Sequence, residues 1–241
     1  MSQGHVLCIT GIDTDIGKTI ATGLLGRYLR EQGYTVITQK VVQTGCAGLS
    51  DDIVRHRQLM GMEIQDADHA GLTCPYIFPE PCSPHLAASL AGKEIDCEVI
   101  TKATSALRRG YDYVLLEGVG GLLVPLRDGW TLLDYLEQTG YPLILVSSPR
   151  LGSINHTLAA LELAKGRGLS VLGILYNRFK EESPIIAEDS ARVFSRYLRT
   201  SGFTDCVVDL YGSGTYKDGY APDFEKLLNG KDWPYIQVKK R

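Results

Sequence analysis

No two cysteines in this 241-residue chain stand in C-x-x-C spacing, although there are six of them: Cys8, Cys46, Cys74, Cys82, Cys97 and Cys206. No Cys/His spacing matches a zinc site either, so reduced thiols of a cytosolic protein are expected. No apolar run reaches the ~20 residues that a membrane-spanning helix requires. The opening residues, MSQGHVLCIT, lack a basic segment ahead of a long apolar stretch, and no secretory signal is expected. Neither sign of charge dominates: 25 Lys and Arg stand against 28 Asp and Glu, a net charge of −3. That balance advertises no nucleic-acid or anionic-membrane surface. Internal repeats and low-complexity linkers are missing too. Together these absences predict a soluble, cytoplasmic protein with neither nucleic acid nor membrane among its partners.

What is present is alternation. Apolar runs predict strands at residues 5–10, 34–40, 111–116, 142–147, 169–176 and 203–210. Between them lie helix-like stretches at 17–31, 51–60, 83–91, 96–109, 132–138, 153–166 and 184–198, the last with Ser183 as its cap. Near-continuous apolar strands separated by helices imply an α/β fold with a mainly parallel sheet covered on both faces. Right-handed crossovers then put every strand's C-terminal end along one edge, where ligands bind. The length suits a single domain, residues 1–241. The 26 glycines, ~11% of the chain against an average near 7%, fall largely in the turns that such alternation needs. From about residue 211 the chain changes character, becoming rich in Gly, Tyr and Asp and ending in Lys239, Lys240 and Arg241. These last residues are expected to be mobile.

The sharpest signal is Gly11-Ile12-Asp13-Thr14-Asp15-Ile16-Gly17-Lys18-Thr19, set between the first strand and the first helix. A P-loop has four residues between its two glycines; here there are five. The Gly-Lys-Thr ending still fits the physics of phosphate binding. Gly17 admits a phosphate close to the backbone, and the N–H groups opening the helix form an anion nest. Lys18 brings a charge to the β/γ-phosphates and Thr19 a hydroxyl for Mg²⁺. A chance tripeptide at a helix start is the competing explanation, weakened by the strand in front of it.

Three further residues are candidates for the same site. Glu117 ends the strand YVLLE and leads into Gly118-Val119-Gly120-Gly121, placing an acid where P-loop proteins hold their metal and a turn open enough to pass a phosphate. Lys40 ends the second strand at the same edge; it could neutralise a transferring phosphoryl group, but read alone a solvated strand-end lysine is the favoured explanation. Asp52 opens a helix and is equally a metal ligand or a first-turn acid, with Asp51 the nearer cap.

Taken in order, these residues resemble the dethiobiotin synthetases. The resemblance rests on Gly11-x5-Gly17-Lys18-Thr19, Lys40 followed by Thr44-Gly45, Asp52, Glu80-Pro81-Cys82-Ser83-Pro84-His85, Glu117-Gly118-Val119-Gly120-Gly121, Leu151-Gly152-Ser153-Ile154-Asn155-His156 and Asn177. It runs from about residue 5 to residue 178. It implies a P-loop nucleoside triphosphate hydrolase-like fold and a cyclo-ligase: 7,8-diaminopelargonic acid, CO₂ (or bicarbonate) and ATP give dethiobiotin, ADP and phosphate through a carbamate and a carbamic–phosphoric anhydride. By position it implies that Asp15, Ile16, Gly17, Lys18, Thr19 and Ile20 hold the triphosphate. Glu117, Gly118, Val119 and Gly120 approach it from the second turn, and Asn177 bonds the adenine. Thr19, Asp52 and Glu117 gather Mg²⁺. Lys40, with Lys18, stabilises the charge that develops during transfer. Thr14, Lys40 and Thr44 lie on the diamine side. Gly152 and Asn155 bind the substrate carboxylate from a neighbouring subunit, so a homodimer with shared sites is implied.

Val41, Val119 and Arg178 depart from the residues usual in that family, and Val119 is large enough to crowd the site. Asp209-Leu210-Tyr211-Gly212-Ser213-Gly214 stands where a Gly-x-Ile-Pro base-binding segment is usual, which predicts relaxed selection of the nucleotide base. Cys46 and Cys82, beside site residues, are expected to be inert thiols. Amidating synthetases of related fold carry a glutamine-hydrolysing domain, for which no length remains after residue 211. Partitioning-type switch ATPases carry an additional lysine early in the loop, and residues 12–16 contain none.

Overall fold

A computed structural model describes residues 3–179, 181, 183–211 and 222–228. In chain order the elements are β1 (His5–Gly11), α1 (Lys18–Glu31), β2 (Val36–Lys40), β3 (Gln43–Thr44), α2 (Asp51–Met60), α3 (Asp66–His69), β4 (Ile77–Phe78), α4 (Pro84–Leu90) and α5 (Cys97–Leu107). There follow β5 (Tyr113–Glu117), β6 (Pro125–Arg127), β7 (Trp130–Thr131), α6 (Leu132–Thr139), β8 (Leu143–Ser147), α7 (Ser153–Gly166), β9 (Val171–Asn177), α8 (Pro184–Thr200), β10 (Val207–Leu210) and α9 (Glu225–Leu228).

Six strands form one sheet in the order β10-β9-β8-β1-β5-β2, and every neighbouring pair is parallel. The expected fold class, a parallel sheet with helices on both faces, is what the chain adopts. Alternate residues of each strand enter different cores, as a pleated strand dictates. Val6 and Cys8 of β1, with Val114 and Leu116 of β5, pack beneath α4–α8. Leu7 and Ile9, with Tyr113 and Leu115, pack beneath α1, α2 and α9. Burial on both sides explains why the strands read as unbroken apolar runs rather than alternating ones. From β1 the chain first moves outward to β2, returns to β5, and only then crosses to β8, β9 and β10. The direction of travel therefore reverses at β1, and a crevice opens at its C-terminal end. Among the described residues no helix is long and apolar enough to cross a membrane.

Several boundaries differ from the sequence reading, each for a local reason. The last strand begins at Val207, not 203, because Phe203 closes the end of α8 through its N–H to the Leu198 carbonyl. Asp96 is the N-cap of α5, its side chain accepting from the Glu98 N–H at 2.8 Å, rather than a helical residue. Ser50, not Asp51, caps α2, accepting from the Ile53 N–H at 3.3 Å. Ser183 does cap α8. The readings that fall on Gly212, Ser213, Gly214 and the basic end Lys239–Arg241 lie outside the described residues.

Candidate active site

The C-terminal ends of β1, β2 and β5 open into a cleft of about 760 Å³. Parallel pairing sets its floor: Lys40 lies opposite Glu117, and Glu117 opposite Ile9, so the phosphate loop, the lysine and the acid emerge side by side. Thr14, Asp15, Gly17, Lys18, Thr19, Ile20, Lys40, Thr44, Asp52, Glu117, Val119 and Gly120 all line the cleft. Pro81, Cys82, Ser83 and Pro84, within a segment that carries the resemblance, add a wall together with Gln43. The two-residue strands β3 and β4 bring that wall in by pairing Gln43 with Ile77 and Thr44 with Phe78. Gly45, at φ +71°, continues the contact through its N–H to the Glu80 carbonyl at 3.1 Å.

The loop between β1 and α1 is wound tightly. Gly17 is the N-cap of α1 at φ +103°, a left-handed conformation that favours glycine, and a Cβ there would run into the Asn177 amide. Asp15, at φ +55°, is the one non-glycine residue of positive φ among those described. The Asn177 amide donates to the Ile16 carbonyl at 2.9 Å and its Oδ1 accepts from the Phe179 N–H at 3.1 Å, so the end of β9 holds the loop from behind. Ile16 itself turns into the core beneath α1 and does not line the cleft. Lys18 curls back, its Nζ donating to the Asp13 carbonyl at 2.7 Å. Burial, then the nearby Lys40 charge, brings its pKa down to about 8 against the pull of Glu117, Asp52 and Asp13.

At the floor, charges are packed closely. The Lys40 Nζ lies 2.7 Å from Glu117 Oε1 and 2.7 Å from Asp52 Oδ2, and donates to the Gly118 carbonyl at 3.1 Å. The Thr19 hydroxyl stands 3.0 Å from Asp52 Oδ1 and 3.2 Å from Glu117 Oε1. Burial alone would lower the Lys40 pKa, but the two carboxylates outweigh it and hold the ammonium above the ordinary lysine range. Burial likewise opposes the Glu117 charge, yet Lys40 and the hydrogen bond from His56 bring the carboxyl down to about 2. Of the two adjacent aspartates it is Asp52 that faces the cleft, while Asp51 is exposed. His56 was missed in the sequence, although it lies four residues after Asp52 and hence on the same helical face.

Of the expected residues, Ile16, Gly118, Asn177, Gly152 and Asn155 do not line the cleft of a single chain. Gly152 is the N-cap of α7 at φ +88° and Asn155 is exposed on its first turn. The neighbouring Leu151 is wholly exposed. Of the departures, Val41 is fully buried in the core, away from the cleft, whereas Val119 does face it. Arg178 is held by Asp209 at 2.8 Å and Glu181 at 3.2 Å, against the rings of Tyr176 and Tyr211. Cys46 is buried, its thiol 3.1 Å from the Leu49 carbonyl, and burial pushes its pKa up.

Comparison with known proteins agrees with this geometry. A family model described as an AAA domain matches residues 5–201. The ATP-dependent dethiobiotin synthetase BioD of Chlorobaculum tepidum is 50% identical over 228 residues, covering 94% of this chain and 95% of that protein. The ATP-dependent dethiobiotin synthetase BioD 2 of Haemophilus influenzae is 53% identical over 179 residues, covering 74% of this chain and 94% of that protein. Among solved structures, pNOB8 ParA bound to nonspecific DNA superposes with a TM-score of 0.53 at 14% identity, covering 85% of this chain and 79% of that one; this likeness is one of fold alone. On 50% identity to a relative matched over 94% of this chain and 95% of that protein, the chain belongs to the ATP-dependent dethiobiotin synthetase family.

Proposed function

We propose that this protein closes the ureido ring of 7,8-diaminopelargonic acid with CO₂ and ATP, releasing dethiobiotin, ADP and phosphate. The observation that carries the reading is that Lys40 and Thr19 each lie within 3.2 Å of both Asp52 and Glu117 at the mouth of a phosphate loop. No serine, cysteine or histidine nucleophile is needed. A substrate amine takes up CO₂ as a carbamate, a carbamate oxygen attacks the γ-phosphorus, and ADP leaves. The second amine then attacks the anhydride carbon, and phosphate departs with the bridging oxygen. Every step moves negative charge, so the protein's work is positioning and charge neutralisation.

Lys18 and the N–H groups from Asp15 to Ile20 serve the triphosphate. Lys40 is held protonated and rigid by two carboxylates, ready to meet charge on the carbamate and the transferring phosphoryl group. Thr14 and Thr44 line the cleft on the side where the diamine would lie. Gly118, Val119 and Gly120 bring backbone close to the phosphates, and Asn177, already bonded to the loop, serves the adenine. Mg²⁺ fits the floor of the cleft. Two carboxylates and a hydroxyl are a hard oxygen donor set that leaves room for water and phosphate oxygens. When bound, Mg²⁺ supplies positive charge to the β- and γ-phosphate oxygens; Thr19, Asp52 and Glu117 would hold it. Exposed Gly152 and Asn155 fit a homodimer in which each subunit completes its partner's site at the substrate carboxylate. A small-molecule ligase drawing on ATP and bicarbonate suits the cytoplasm.

Isotope transfer tests the order of steps. With ¹⁸O-labelled CO₂, one labelled oxygen should pass into the released phosphate; unlabelled phosphate alongside labelled dethiobiotin would overturn the anhydride route.

A further inference from the structure

The carboxylate of Glu117 is shared unequally. Its Oε1 meets Lys40 and Thr19 at the cleft, while its Oε2 is taken from behind by His56 Nε2 at 2.7 Å. His56 is fully buried on α2, one turn beyond Asp52. Its other nitrogen, Nδ1, lies 3.0 Å from the Thr38 hydroxyl, and that hydroxyl is also 2.8 Å from Arg57 Nη1.

The direction of this chain follows from which groups can donate. A guanidinium only donates, so the Thr38 oxygen accepts from Arg57. The hydroxyl proton has no other acceptor among the described residues and therefore points at His56 Nδ1. That leaves the ring proton on Nε2, where it is donated to Glu117. Arg57 is fixed in turn: its Nε and Nη2 grip Asp68 at 2.9 and 2.7 Å, and Asp68 also accepts from the Thr73 hydroxyl at 2.7 Å. All of these groups are buried. A donor relay thus runs from a closed arginine–aspartate pair to the back of the site acid, and no water-exposed group interrupts it.

We propose that His56 is a positioning residue for the ligase reaction: locked by Thr38 and Arg57, it occupies Oε2 of Glu117, so that Oε1 is aimed at Lys40, Thr19 and the metal side of the cleft. Without it the buried Oε2 loses its donor, and the carboxylate can rotate to take Lys40 with both oxygens. That rotation withdraws the ammonium from the substrate and Oε1 from the metal. The inference rests on reading Glu117 as the metal-side acid. It also explains a feature that a generic P-loop does not demand, namely a polar side chain committed to the fully buried interior of α2.

The test measures metal binding apart from turnover. Mn²⁺ affinity of the ADP-bound protein is read by electron paramagnetic resonance for wild type, His56→Leu, His56→Gln, Thr38→Val and Glu117→Gln, with melting temperature, kcat and KM in parallel. Outer-sphere partners of metal-binding side chains typically change affinity by ~10–100-fold. The expected result is a loss of about tenfold or more for His56→Leu, with kcat reduced and KM for the diamine little changed. Near-recovery is expected in His56→Gln, whose amide can again present an N–H to Oε2. Thr38→Val, which keeps His56 but frees its ring, should fall between. A His56→Leu protein that melts lower but binds Mn²⁺ and turns over as wild type does would overturn the proposal. Should that variant not fold, unchanged Mn²⁺ affinity in Thr38→Val would overturn the relay. If Glu117→Gln also leaves Mn²⁺ binding intact, the reading of Glu117 itself is wrong; a weakened Glu117→Gln beside a silent His56→Leu refutes the relay alone.

Discussion

Replacing Lys40 by Met keeps most of the side chain's volume and removes its charge. In the structure the ammonium neutralises two carboxylates at 2.7 Å each, one of them fully buried. Breaking a buried ion pair by removing one partner costs about 3–5 kcal/mol. Here the loss should sit near the lower bound, because His56 and Thr19 still bond Glu117 and the Asp52 side chain is 23% exposed and can be rehydrated. The pH dependence carries a sign. The Glu117 carboxyl is depressed to about 2 in the folded protein from its ordinary 4.5, so its contribution is present above pH 4.5 and lost as pH falls toward 2. Much of that depression comes from Lys40, so the stability gap between wild type and Lys40→Met should narrow as pH drops from 5 toward 3. In catalysis, loss of one preorganised charge at the reacting centre lowers kcat by about 10²–10³, whereas ATP binding, which rests on the phosphate loop, should change little. Urea denaturation at several pH values and steady-state kinetics with diamine, bicarbonate and ATP measure both effects. A folded Lys40→Met protein with kcat within about threefold of wild type would refute the assigned role.

Other outcomes follow from the same geometry. Lys18→Ala should abolish ATP-dependent turnover. In the wild type, a Lys18 pKa near 8 means that nucleotide binding at pH 8 takes up about half a proton and weakens as pH rises further, since the ammonium must be restored to meet the phosphates; calorimetry in buffers of different ionisation enthalpy reads this, and no uptake would contradict it. Parallel assays with ATP, CTP and GTP should show ATP favoured by no more than about tenfold, a difference of 1.4 kcal/mol; a much stronger preference would count against relaxed base selection. Mixing inactive Lys40→Ala with inactive Asn155→Ala should restore up to about a quarter of wild-type activity through hybrid dimers, and no recovery after subunit exchange would argue against sites shared between subunits.

The parts of the fold legible in the sequence were those built on long-range periodicity. The runs that became β1, β5, β8 and β9 are buried on both faces and so read as unbroken apolar segments, and Gly17-Lys18-Thr19 between strand and helix marked the cleft directly. What was not legible has no periodicity to read. The strands β3 and β4 are two residues each, and the hairpin of β6 and β7 is scarcely longer, yet the first pair brings Pro81 and Cys82 to the cleft. Lys40 could not be told from a solvated lysine until its pairing opposite Glu117 was known, because strand register is a tertiary property. Asp52 and Asp51 were equivalent for the same reason, until Ser50 was seen to cap the helix. His56 left one usable trace, its i,i+4 spacing from Asp52; its partners Thr38 and Glu117 come from separate strands that no local pattern connects.

The most direct test incubates the purified protein with 7,8-diaminopelargonic acid, bicarbonate, Mg²⁺ and ATP and follows dethiobiotin by mass spectrometry alongside ADP. One dethiobiotin should appear per ADP released, and neither should form quickly without the diamine. ATP hydrolysis that proceeds equally with and without diamine, and yields no cyclic urea, would contradict the account.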